Sequence, residues 1–218
     1  MNNPEKKQNR YLANKNFIWS SILGFALVIF SLFVNYWAAV YATKKASNTI
    51  TDIVLSNIPS YDVSGIFVFG LIALIVFIIF ITFKKPARIP FITKSTAVFM
   101  LIRSTFISMT HLAPYSDAVS ININILNKIT TGGDMFFSGH TGLPFLMALI
   151  FWRQKNLRYL FLAVSVGFGA TALMGHYHYT IDVFAAFFIT FGIYHICLKI
   201  FKKDYQFFPG HNKFQTLL

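Results

Sequence analysis

From Phe17 to Val40 the chain carries no charged side chain. That run exceeds the roughly 20 residues an α-helix needs to cross a hydrocarbon core, so it reads as a membrane helix. Further apolar runs predict spans over about 65–83, 90–112, 136–152, 159–175 and 178–201. The expected fold is an all-α integral membrane protein, with six transmembrane helices in one bundle. A composition that is 56% hydrophobic and only 12% charged excludes an ordinary soluble domain of this length. The basic start, with Lys6, Lys7, Arg10 and Lys15, resembles that of a signal peptide. The apolar run that follows is longer than a signal core and ends in no clear small-residue cleavage site, so it reads as a retained helix.

Charge placement sets the expected orientation. Lys84, Lys85, Arg88 and Lys94 lie near one connection, and Arg153, Lys155 and Arg158 near another. The C-terminal end adds Lys199, Lys202, Lys203 and Lys213. In a six-span arrangement these share one side with the basic N-terminus. The other side holds Lys44, Lys45 and Lys128 against Asp52, Asp62, Asp117 and Asp134. Both termini are therefore expected in the cytoplasm, and the net charge of +12 needs no nucleic-acid partner. The expected organisation is a basic cytoplasmic tail (1–15), a membrane domain (16–202, its catalytic half about 95–202) and a flexible cytoplasmic tail (203–218). The lone cysteine, Cys197, reads as packing surface.

Two blocks carry ionisable groups into these apolar runs, where such groups are costly and point to function. One is Gly133-Asp134-Met135-Phe136-Phe137-Ser138-Gly139-His140-Thr141, and the other is His178-Tyr179-Thr180-Ile181-Asp182-Val183. A carboxylate four residues after a histidine faces it on a helix. Asp182 there accepts the Nδ1 proton of His178 and leaves Nε2 as nucleophile or base. The start of a helix offers free amides, and beside Ser138 and Gly139 they make an anion site. Two histidines and a carboxylate supply what phosphoryl transfer needs: a nucleophile, its orienting acid and a proton donor for the leaving oxygen. No metal-ligand cluster competes with this reading, so neither metal nor cofactor is expected.

These blocks resemble those of the type 2 phosphatidic acid phosphatase superfamily, and within it the sphingomyelin synthase-like branch. The likeness rests on Gly133-Asp134 with Ser138-Gly139-His140-Thr141, and on His178-Tyr179-Thr180-Ile181-Asp182-Val183. Weaker matches are Arg103 with Thr110, Leu112 and Pro114, and Pro59 to Asp62. The resemblance implies a six-helix fold with an outward-facing triad: His178 as phosphorus nucleophile, Asp182 orienting it, and His140 as the acid. It also implies substrate contacts from Arg103, Asp134, Ser138, Gly139 and Thr141. The chain departs from the hydrolytic phosphatases, which carry an upstream lysine and Arg-Pro pair and an arginine six residues before the nucleophile. Ala172 holds that last position here, which leaves Arg103 as the substitute cation, some ten residues below the outer end of its span.

The expected activity is transfer or hydrolysis of a phospholipid head group at the extracytoplasmic face, with a lipid alcohol or water as acceptor. A hydrolytic phosphatidate or polyprenyl diphosphate phosphatase is the alternative enzyme. A proton-coupled transporter using the same three groups as a relay is the non-enzymatic one. Tyr177, Tyr179, Trp19, Trp37 and Trp152 read as interfacial anchors or packing, and His111, His176 and His195 as structural.

Overall fold

The computed structural model describes residues 14–119 and 134–208, and among them the fold is wholly helical. Six helices form the bundle: α1 (Lys15–Lys45), α2 (Ser64–Phe83), α3 (Ile89–Met109), α4 (Gly139–Ile150), α5 (Lys155–Met174) and α6 (Thr180–Ile200). A one-turn α7 (Lys202–Tyr205) follows. Helices α1, α2, α5 and α6 are long and apolar enough to cross a membrane. Helix α3 has comparable length, 21 residues, but carries Lys94 and Arg103 inside the protein.

Helix α4 departs most from expectation. It has 12 residues, about 18 Å of rise, against a core about 30 Å thick. The helix expected from Phe136 starts only at Gly139, where the Ser138 side chain accepts the Thr141 amide. Residues 134–138 instead enter the bundle as irregular chain, with Met135, Phe137 and Ser138 buried. Non-helical backbone is tolerated at such depth only where protein covers it.

The most extensive helix pairing joins α1 to α3. Gly24, Ser31 and Ala38, each seven residues from the next, lie buried on α1 with Ala42, and seven residues is close to two helical turns. Small residues on one stripe let the backbones approach. A Cβ on Gly24 would fall 2.1 Å from Thr93 Oγ1. The opposite half packs α4 between α5 and α6, around Phe99, Phe137, Leu146, Met147, Phe161 and Ile193. Cys197 belongs to that same core. Helix α2 touches its neighbours sparsely and presents Ile66, Phe69, Val76 and Phe80 outward.

At the α3 start, the Arg88 guanidinium donates to Ile81 O and Gln154 Oε1, each at 2.8 Å, and lies over the Phe151 ring. One charge counted toward membrane orientation is thus an interior bolt. Residues 203–208, expected as the start of a flexible tail, are part of the bundle. Phe208 is buried against Phe91 and Phe151, and Phe207 meets Phe17 edge-on. The remainder of both tails, and the loop containing Lys128 and Gly133, lie outside the described residues.

Candidate functional site

The site is built on the irregular segment before α4. Arg103 of α3 donates through Nε to Phe137 O at 2.9 Å, and through Nη2 to Asp134 O at 2.9 Å and Asp134 Oδ2 at 3.1 Å. Its Nη1 reaches Asn35 Oδ1 of α1 at 3.2 Å. A Cβ on Gly139 would lie 3.0 Å from Arg103 Nε, so glycine lets the guanidinium sit beneath the first turn of α4. The depth expected for Arg103 thereby changes meaning. It is six residues from the α3 end at Met109, roughly 9 Å along the axis, and the Ser-Gly-His block descends to meet it. Most of its donors are occupied by protein oxygens, so it fixes the segment that carries the block and adds positive charge under a helix start already favourable to anions.

Ser138 is fully buried. Its amide donates to Asp182 O at 3.2 Å, and its Oγ receives the Thr141 amide and hydroxyl at 3.4 and 3.2 Å. Thr141 O in turn accepts from Ser165 Oγ. Ser138 and Thr141 therefore tie α4 to α5 and α6, while the amides of Gly139 and His140, at the start of α4, have no intrahelical acceptor.

His178 precedes α6 rather than lying on it, since the helix begins at Thr180 after its N-cap Tyr179. Asp182 still comes within reach: its Oδ2 accepts the Tyr179 amide at 2.9 Å and lies 3.5 Å from His178 Nδ1. The closer partner of Nδ1 is Met135 O, at 2.8 Å. A carbonyl can only accept, so this contact places the proton on Nδ1 and leaves the Nε2 lone pair free. Asp182 then acts as a buried negative charge beside the ring. Its Oδ1 has no hydrogen-bond partner among the described residues.

His140, on the first turn of α4, stacks on Phe67 of α2 with ring centroids 3.6 Å apart and meets Phe168 edge-on. It lies within electrostatic range of both His178 and Arg103. Arg103, Asp134, Ser138, Gly139, His140, Thr141, His178 and Asp182 thus occupy one region of the fold. Ala172, the position at which the resemblance led one to look for an arginine, is fully buried against Phe67 and Val183. The position has no room for a guanidinium. Among the described residues His195 hydrogen-bonds to its own helix, at Phe191 O, and it is remote from this region.

Several residues of the site carried little sequence signal. Asp52, in the connection after α1, accepts the Thr180 amide on Oδ2 and the Thr180 hydroxyl on Oδ1, each at 2.7 Å. Its Oδ1 also takes the amides of Val54 and Leu55. Asp52 therefore caps the start of α6 from a distant segment. Burial pushes its carboxyl pKa up, but the hydrogen bonds from Thr180, Leu55 and Val54 outweigh that and hold it below the usual carboxylate range. Tyr179, read from sequence as an interfacial anchor, is fully buried. Its hydroxyl donates to Ala113 O and accepts from the Ile50 amide, joining two connections to the α6 start. Asn35 was the one visible clue, an amide side chain within an apolar run.

Residues 131–199 match the family described as PAP2 superfamily C-terminal. Comparison with the curated proteins and with the solved structures gave no match. The matched segment holds both histidine blocks, which supports the PAP2 superfamily and lipid phosphatase-type enzymes in general, on a chain with the long apolar helices of a membrane protein.

Proposed function

We propose that this protein is a lipid phosphotransferase or phosphatase of the sphingomyelin synthase-like kind, working through a phosphohistidine at the extracytoplasmic face of a six-span bundle with both termini cytoplasmic. The observation that carries the reading is the setting of His178: its Nδ1 proton is held by Met135 O, and a buried carboxylate lies beside the ring.

In the first step His178 Nε2 attacks phosphorus, and a P–N bond replaces the P–O bond to the lipid alcohol. The departing oxygen takes a proton from His140. Asp182 stabilises the positive imidazole ring, and the Gly139 and His140 amides face the phosphoryl oxygens. In the second step His140 removes a proton from the incoming hydroxyl, whose oxygen attacks phosphorus and releases His178. With a lipid alcohol as acceptor the net reaction is transfer, and with water it is hydrolysis.

The test is turnover of a labelled phospholipid panel, with and without ceramide or diacylglycerol, by wild type, His140→Ala and His178→Ala. An aryl phosphate, whose phenolate leaves unaided, should partly restore His140→Ala and never His178→Ala. Restoration of His178→Ala instead would reverse the two roles. For sidedness, single cysteines at Lys44 and Lys155 in a Cys197→Ser background are probed with an impermeant thiol reagent. Labelling at 155 but not at 44 in intact cells would place the histidines on the cytoplasmic face.

A further inference from the structure

We propose a second phosphate site at the opposite end of the bundle, fitted to the headgroup of an anionic phospholipid. A cavity of about 1030 Å³ opens there between the start of α1 and the α6–α7 junction, and Lys199, Lys202 and Lys203 line it. Along α6, Lys199 is about 26 Å from Asp182, so one phosphate cannot touch both sites.

The cavity floor is a closed polar unit. Lys94 Nζ lies 2.7 Å from Asp204 Oδ2 and 2.6 Å from Ser20 Oγ, and Ser20 donates to the other Asp204 oxygen. Lys94 and Asp204 neutralise each other, both largely buried. The three wall lysines have no ion pair among the described residues, so those residues give the cavity a net positive charge of about three.

Basic residues at one membrane face follow from orientation alone, but that does not require them to converge on one cavity. The remaining walls say which phosphate fits. Ile200, 64% exposed, and Phe201 and Phe207 share the lining with the lysines. A soluble anion has no use for this apolar flank, whereas a phospholipid lays its first acyl carbons there while its phosphate meets the ammonium groups. Basic pockets between helices at a membrane surface bind anionic headgroups in this way.

The experiment is native mass spectrometry of the full chain on a His178→Ala background, so that no lipid is consumed at the other end. Phosphatidylglycerol is titrated against phosphatidylcholine, with inorganic phosphate as competitor. A clear preference for phosphatidylglycerol is expected, insensitive to millimolar phosphate. It should fall about fivefold for each of Lys199→Gln, Lys202→Gln and Lys203→Gln, and roughly a hundredfold for the three together. The single variants decide the matter should the triple fail to fold. Lys84→Gln/Lys85→Gln, at the same end but outside the cavity, should keep the preference. Equal loss in that control, or none in the cavity variants, would overturn the site. Displacement of the lipid by phosphate alone would overturn the headgroup assignment.

Discussion

The two ends of this bundle bury comparable amounts of charge and treat it in opposite ways. At the lysine end, Lys94, Asp204 and Ser20 satisfy one another, and most of the Arg88 guanidinium is taken by Ile81 O and Gln154. At the histidine end, opposite charges meet less completely. Among the described residues one oxygen of Asp182 and both ring nitrogens of His176 have no hydrogen-bond partner, against the Nε of Arg88 at the lysine end. His178 is held by a backbone carbonyl more closely than by its carboxylate. A buried polar group left unsatisfied costs about 1–3 kcal/mol, so each of these groups calls for a partner such as water or a ligand. The first end holds the bundle together, and the second is where the proposed chemistry would take place.

The sharpest way to break this contrast is His178→Ala. It should lower turnover by roughly 10⁴-fold or more and abolish acid-labile phosphate on the enzyme, a loss far beyond what the accompanying drop in melting temperature from freeing Met135 O can explain. A variant that still traps phosphate would move the nucleophile elsewhere.

Asp182→Asn probes which partner governs the ring. Where a carboxylate alone sets the histidine tautomer, its amide costs about 10⁴-fold. Here Met135 O already holds the Nδ1 proton, so the expected loss is nearer 10²-fold, with phosphoenzyme still detectable. A fall as deep as that of His178→Ala would show that the carboxylate, not the carbonyl, orients the ring.

Lys94→Met is the corresponding experiment at the other end. Removing one partner of a buried pair destabilises by about 3–5 kcal/mol, so thermal melting should drop sharply. Turnover per folded molecule at a permissive temperature should stay near wild type. A lost kcat without a lost melting temperature would erase the distinction between the ends.

Asp52→Asn should have the smallest effect: about 1–2 kcal/mol in melting, the scale of a lost helix cap, and a few-fold loss in kcat because the cap holds the turn bearing His178. The wild-type contribution carries a pH signature. The folded pKa of Asp52 is depressed, so its stabilisation is full above the ordinary value of 3.8 and fades as pH falls through the folded value. Acid titration of melting temperature should therefore show a decline below about pH 4 that is weaker in Asp52→Asn. Parallel curves for the two proteins would remove Asp52 from the cap.

The helices were legible because lipid imposes a length and an apolarity that any reader can find: α1, α2, α5 and α6 begin and end within a few residues of the expected runs. The boundary of α4 was not, because Phe136 and Phe137 are as apolar as the helix they precede. Only the pull of Arg103 on the carbonyls of Asp134 and Phe137 shows that they belong to an inserted segment. The histidine blocks were legible as motifs, and the i to i+4 spacing anticipated that Asp182 lies near His178, though not that Met135 O would be the closer partner of Nδ1. The approach comes through a carboxylate folded back onto the N-cap amide, not through a helix face.

By itself, then, the sequence determined which runs are long and apolar enough to cross a membrane and that Asp182 lies near His178, since both follow from spacing along the chain. Tertiary structure alone decided the partners supplied from afar. Asp52 caps a helix 128 residues away, Asn35 reaches Arg103 from α1, Phe67 covers His140 from α2, and Met135 O takes the Nδ1 proton of His178. The physical reason is that a hydrogen bond or a stacked ring depends on geometry across the fold, and a backbone carbonyl, present at every residue, has no signature in the sequence at all.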